Sequence, residues 1–261
     1  MAQLQKVNCY NCGSGEYEYY DDENGFNLVK CKGCGLLYVN PRPSDFDVLA
    51  AVKRGVYSHD LGMPSDRVYE DRVSRYLKIL RDFYSKENFM RKGVTWLDIG
   101  CGYGEFLKSL KIYSDGNIDA VGLEPDSSKV KFAQGRGLNV MQEETQAYAN
   151  RYDFVSMLNV FSHLSNPVDT LIRLKKTIKD NGELFLETGH SSHLAAKYHH
   201  KPYYLPDHLS FANREIVTGI MNRVGFEAIK IKIYRHESFV GKIFQRYPNR
   251  DMWIRAGLRY A

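Results

Sequence analysis

The 261 residues contain no apolar run approaching 18, the length that reads as a membrane-spanning helix, so no membrane partner is expected. The first residues, Met-Ala-Gln-Leu-Gln-Lys, lack the apolar stretch of a signal peptide, and the expectation is a soluble, cytoplasmic protein. Internal repeats and low-complexity runs are absent, which argues against a solenoid or a disordered array. Charge of one sign is also scarce, with a net value of only +5, although basic residues gather late at Lys230, Lys232, Arg235, Lys242, Arg246, Arg250, Arg255 and Arg259. Such a tail reads either as a solvated face or as a contact for phosphate groups. What is present is ordinary for a globular chain: 43% hydrophobic and 26% charged residues, enough for one α/β domain with an accessory module.

Cysteine is rare, yet four of the five fall into two pairs, Cys9-x2-Cys12 and Cys31-x2-Cys34, each followed by glycine. Two such knuckles bring four thiolates onto one tetrahedral ion, the geometry of a zinc ribbon, and leave no open coordination position. The expected zinc is therefore structural. Disulfides fit a reducing compartment poorly, and a redox CxxC lacks a strand-to-helix context here. Cys101, the fifth, reads as a small packing residue.

The most informative stretch is Val94-Thr-Trp-Leu-Asp98-Ile-Gly100-Cys-Gly102-Tyr-Gly104-Glu-Phe106. An apolar run ending in Asp98 reads as a buried strand, and Phe106, Leu107 and Leu110 give the core face of a helix. The glycines form the turn between them, where the main chain can approach a ligand closely. A dinucleotide fingerprint would need G-x-G-x-x-G, and either register meets Glu105 or Leu107 at the third site. A second strand, Ile118 to Leu123, ends in Glu124, placed to accept hydrogen bonds from ribose hydroxyls. Together Asp98 to Gly104 and Val121 to Asp126 resemble the first two motifs of class I S-adenosylmethionine (SAM) methyltransferases, over roughly Val94 to Glu227. The resemblance implies SAM bound by Asp98, Gly100, Gly102, Gly104, Glu124 and Asn159.

Along the chain, residues 1–40 read as the ribbon, with strands near 16–20 and 35–39. Residues 41–92 read as a helical linker or lid, with helices over 44–54 and 66–86 and with Tyr57 and Tyr69 as lid or packing aromatics. Residues 93–261 read as the methyltransferase domain. Its alternating strands and helices predict an α/β, Rossmann-like parallel sheet with helices on both faces. Strands are expected at 138–141, 152–158, 182–187 and 226–234, and helices at 168–178 and 213–224, the last capped by Asn213 and ended by Gly225. Residues 189–209 form a polar, aromatic insertion carrying five histidines. The segment 236–261 has no placement.

Methyl transfer is an in-line displacement, so the protein aligns the acceptor and removes its proton where the acceptor is a hydroxyl. The segment Asn159-Val-Phe-Ser-His163 resembles the one after strand four in many small-molecule methyltransferases, where a Glu-His pair follows; Ser162 stands in place of the Glu. The segment Tyr203-Tyr204-Leu-Pro-Asp207-His208-Leu-Ser-Phe211 looks like that of zinc-ribbon methyltransferases acting on nucleotide-linked sugars. In the C-methylating members a Tyr stands three residues before the His, where this chain has Leu205 with Tyr204 adjacent. The resemblance implies His208 as general base, oriented by Asp207, with Tyr204 and His163 as further catalytic candidates. An unperturbed histidine titrates near working pH, which suits the task. The remaining histidines match no ligand spacing. The reading is O-methylation of a small sugar-containing or nucleotide-linked acceptor. Two alternatives stay open: an RNA-modifying enzyme, against which the chain lacks an Asn/Asp-Pro-Pro-aromatic element for a flipped base, and a non-catalytic SAM-binding partner subunit.

Overall fold

The computed structural model describes residues 4–53, 63–142, 150–235 and 250–258. Tyr57, Lys242, Arg246 and Arg259 lie outside them. Among the described residues no helix is long and apolar enough to cross a membrane.

The chain opens with β1 (Leu4–Gln5), β2 (Tyr17–Glu23), β3 (Phe26–Cys31), β4 (Leu37–Val39) and β5 (Arg42–Pro43). Asn24 and Gly25 join β2 to β3 with φ of 54° and 79°, the left-handed pair that a two-residue hairpin turn requires. The periodicity reading had no strand at β3, although the Asn-Gly dipeptide between apolar runs is its signature. Next come α1 (Asp45–Lys53) and α2 (Asp66–Phe83), the second capped by the Ser65 side chain and burying Tyr69, Val73, Ile79, Leu80 and Phe83. These match the expected helices closely.

The large sheet is built from β6 (Val94–Ile99), α3 (Glu105–Tyr113), β7 (Ile118–Leu123), α4 (Ser127–Gly135), β8 (Val140–Met141), β9 (Tyr152–Leu158), α5 (Pro167–Thr177) and β10 (Ile178–Gly189). The chain then passes through β11 (Ser210–Phe211), α6 (Arg214–Val224), β12 (Phe226–Arg235) and β13 (Arg250–Leu258). Strand order is β12-β13-β10-β9-β6-β7-β8, with the last five parallel and β13 antiparallel to both its neighbours. Part of the unplaced tail is thus a sheet strand, inserted between β10 and β12. Alternate residues of β6 and β9 feed opposite faces: Leu97, Val155 and Met157 pack toward α5 and α6, while Trp96 and Phe154, stacked at 4.7 Å, pack toward α2 and α3. Helices cover both faces, as α/β patterning requires.

A separate four-stranded sheet has the order β11-β4-β3-β2. Its fourth strand, β11, directly follows the histidine-bearing insertion, about 170 residues later in the chain, so the end of the insertion is tied to the sheet of the N-terminal module. Tyr203 and Leu205 fill its core with Leu28, Leu37 and Val39. Of the late basic residues, Arg255 makes a two-pronged contact with Glu183 at 2.6 and 2.7 Å, and Lys232 lies 3.4 Å from Asp82. These contacts tie β12 and β13 to β10 and the end of α2.

Candidate active site

At the carboxyl ends of β6 and β7 the chain turns sharply. Gly104 caps α3 in the left-handed region at φ 85°, and a Cβ there would lie 2.5 Å from Leu138. A Cβ on Gly100 would meet Val160 at 2.5 Å, so this turn packs directly on the segment after β9. On Gly102 a Cβ would meet nothing nearer than Glu105 at 3.9 Å, which leaves a backbone surface that a ligand can approach. Glu124, buried at the end of β7, accepts from the Gly102 N–H at 2.9 Å and the Asp126 N–H at 3.1 Å. Burial pushes its carboxyl up; those N–H groups and Lys129 pull it back. A carboxylate keeps further lone pairs after two such bonds and so retains capacity for hydroxyl donors.

Asp98 is 2% exposed and accepts from the Ser156 hydroxyl at 2.5 Å, which in turn accepts from the Trp96 indole N–H at 2.8 Å. Burial drives its carboxyl up to about 7, with Glu124 and Glu105 adding to the shift. Asn159, just past β9, adopts φ 56° and donates its N–H to the Glu187 carbonyl at 3.2 Å. All six residues expected at the cofactor therefore gather at one end of the sheet.

Five charged groups at the same end pair in a way that no local sequence pattern announces. Arg72 reaches Glu105 at 2.9 Å, and one nitrogen of Arg75 lies 3.0 Å from both Glu187 and Asp251. Burial and the adjacent Asp251 carboxylate push Glu187 up to about 8. The two arginines are one turn apart on α2, a spacing that looks like an ordinary solvated face until the fold supplies the partners. Tyr69, on the same helix, packs against Phe132 with ring centroids 5.8 Å apart.

The histidine candidates converge. His163, in the turn after β9, and His208, in the insertion, have ring centroids 4.5 Å apart despite their sequence separation. His208 Nδ1 lies 2.8 Å from the Tyr203 carbonyl. A carbonyl accepts only, so Nδ1 carries the hydrogen and, in the neutral ring, Nε2 carries the lone pair. Tyr204 stands 6.2 Å from His208, centroid to centroid, with φ 61°. The Asp207 assignment changes. Its carboxylate and its carbonyl meet His163 Nδ1 at 3.1 and 3.0 Å, whereas His208 Nδ1 meets the Tyr203 carbonyl. Elsewhere in the insertion, His190 Nδ1 accepts from the Arg214 N–H at 3.1 Å beside α6, and His199 packs among Tyr20, Tyr203 and Phe211.

The four N-terminal thiols, Cys9, Cys12, Cys31 and Cys34, all lie within 4.8 Å of one another. A tetrahedral zinc with bonds of 2.3 Å needs sulfur separations of about 3.8 Å, so the set fits that ion. Cys9–Cys34 and Cys12–Cys31, each at 3.5 Å, are too far apart for disulfide bonds. The knuckles repeat each other: Gly13 N–H donates to the Cys9 carbonyl at 2.8 Å, and Gly35 N–H to the Cys31 carbonyl at 2.9 Å.

Residues 66–231, more than half of the chain, match a family model described as a methyltransferase domain. Among curated relatives, the ubiquinone biosynthesis O-methyltransferase of Photobacterium profundum is 26% identical over 37% of this chain and 44% of its own. The tRNA U34 carboxymethyltransferase of Pseudomonas fluorescens is 30% identical over 37% of this chain and 33% of its own. This chain thus spans less than half of either protein. A solved SAM-dependent methyltransferase from Archaeoglobus fulgidus superposes with a TM-score of 0.52 over 71% of this chain and 94% of its own, at 18% identity, and shares the fold.

Proposed function

This chain belongs to the methyltransferase-domain family, and from that premise we propose that it is a class I SAM-dependent methyltransferase and that it methylates a hydroxyl oxygen of a small sugar-containing or phosphorylated acceptor, in glycan or nucleotide-sugar biosynthesis. The observation that carries the reading is the packing of His163 against His208 beside the carboxyl end of β9. SAM supplies an electrophilic methyl group on a sulfonium. The glycine turn, Asp98, Glu124 and Asn159 bind and orient it, with Glu124 on the ribose hydroxyls. His208 Nε2 takes the acceptor's proton; Asp207 holds His163, which sits against the His208 ring, and Tyr204 borders the same space. The sugar class rests on the likeness of residues 203–211 to enzymes of nucleotide-linked sugars. We further propose a structural zinc on Cys9, Cys12, Cys31 and Cys34, a division into residues 1–40, 41–92 and 93–261, and a cytoplasmic location, where thiolate ligands stay reduced.

Incubation with SAM and a panel of nucleotide sugars, glycans and tRNA, read by mass spectrometry, tests the acceptor class. A nucleotide sugar that gains one methyl group is the expected product. Methylation confined to tRNA selects the RNA alternative, and no methylated product from any acceptor selects the partner-subunit alternative.

Glu124→Ala should weaken SAM by about 1.5–3 kcal/mol, the cost of losing charged hydrogen bonds. Calorimetry checks this, and an unchanged Kd removes Glu124 from the ribose site. Asp98 predicts a pH dependence. Its carboxyl, raised to about 7 by burial, holds a proton that a bound cation would expel. Raising the pH through that value removes the proton in advance, so SAM affinity should rise between about pH 6 and pH 8, by at most tenfold per unit. Asp98→Asn should flatten the profile; an equal slope in the variant assigns the proton elsewhere.

A further inference from the structure

The insertion that carries His208 is held in large part by the cysteine module. The Glu23 carboxylate, at the end of β2, accepts from two backbone N–H groups of the insertion, Tyr203 at 2.8 Å and Leu205 at 3.0 Å. Between them stands Tyr204, in the left-handed region that non-glycine residues seldom adopt. Asp21, two residues earlier on the same strand, accepts from the Tyr203 hydroxyl at 2.6 Å and pairs with Lys201 at 2.6 Å. The Asn24 side-chain amide donates to the Leu205 carbonyl at 2.8 Å. Thus the β2–β3 hairpin grips both sides of one turn, and the carbonyl of Tyr203 is the acceptor for His208 Nδ1.

We propose that Glu23 is a positioning residue for His208. Through the backbone of Tyr203 it fixes which ring nitrogen of His208 carries the hydrogen and therefore which one faces the acceptor. The connection runs through covalent bonds and two short hydrogen bonds. Glu23 holds Tyr203 N–H, the Tyr203 carbonyl on the same residue receives His208 Nδ1–H, and Nε2 is left as the basic nitrogen. With both N–H groups released, the Tyr204 turn loses two of the contacts that hold its backbone, and the Tyr203 carbonyl swings out of line with His208. A second hold lies on the far side, where the Leu209 N–H donates to the Ser162 carbonyl at 2.7 Å and the Val39 N–H to the Leu209 carbonyl at 2.9 Å. The hairpin grip therefore sets the ring and its tautomer, while the backbone stays joined to β4. The catalytic consequence rests on His208 being the base; the positioning itself does not.

The test is the ring-nitrogen NMR spectrum of the full-length protein labelled with 15N-histidine, the His208 signals being assigned with His208→Gln. Wild type should show a single tautomer protonated at Nδ1. Glu23→Ala should show exchange between the two tautomers, and Glu23→Gln, which keeps one acceptor oxygen, an intermediate mixture. With a methyl acceptor present, kcat should fall about 10- to 100-fold in Glu23→Ala while the KM for SAM stays within twofold. An unchanged His208 tautomer in Glu23→Gln, the variant closest in shape to wild type, overturns the proposal, and so does one in a folded Glu23→Ala. A tautomer shift together with an active His208→Ala enzyme would leave the positioning intact and remove His208 as the base.

Discussion

His208→Ala is expected to lower turnover by about 10²- to 10⁴-fold while SAM affinity stays nearly unchanged, the usual range for loss of a general base that does not touch the cofactor. The side chain lies in the insertion, with Nδ1 committed to the Tyr203 carbonyl, so truncation removes the Nε2 base together with that hydrogen bond and the ring contact with His163. His163→Ala is the comparison. Its ring packs against His208 and is tied to Asp207, so its loss should lower turnover less, by loosening His208. A steady-state assay with both variants decides the roles. If His163→Ala abolishes turnover while His208→Ala is near wild type, the assignments exchange. If both remain active, the enzyme works by alignment of the acceptor alone.

Cys9→Ser should release the metal and unfold the N-terminal module. Four-thiolate binding is worth about 10–16 kcal/mol in zinc-finger peptides, far more than the small apolar content of this module can replace. The damage should spread beyond the module, because β11 belongs to the same sheet and the Tyr10 hydroxyl meets the Ser210 hydroxyl at 3.0 Å. Elemental analysis should give one zinc per chain in wild type and none in the variant. Amide exchange should show lost protection over residues 17–39 and 203–211. A zinc-free wild-type protein with full protection would refute the metal site.

The turn at the carboxyl end of the sheet was legible because its signals are local: the glycines, Asp98 before them and Glu124 just after the next strand all fall within 27 residues of one another. The limits of α6 were legible for the same reason, from Asn213 at its N-cap and Gly225 after it. The histidine pair was not. Asp207 is next to His208 in sequence, and only the fold brings it to His163, 44 positions earlier. Nor does any pattern in Tyr203 and Leu205 announce that they fill the core of a sheet begun near residue 17. The arginines of α2 are silent for a related reason, since Glu105, Glu187 and Asp251 come from three other elements. Strand β3 was missed although Asn24-Gly25 is a local signal for it, whereas β13 depends on a partner across a connection of more than ten residues.

The most direct measurement follows the methyl group itself. With [methyl-13C]SAM and a nucleotide sugar, wild-type protein should form S-adenosylhomocysteine and an O-methylated sugar in equal amounts, and His208→Ala should form almost none of either. Label recovered on carbon or nitrogen, label recovered only in tRNA, or SAM left unconverted with every acceptor would contradict the account.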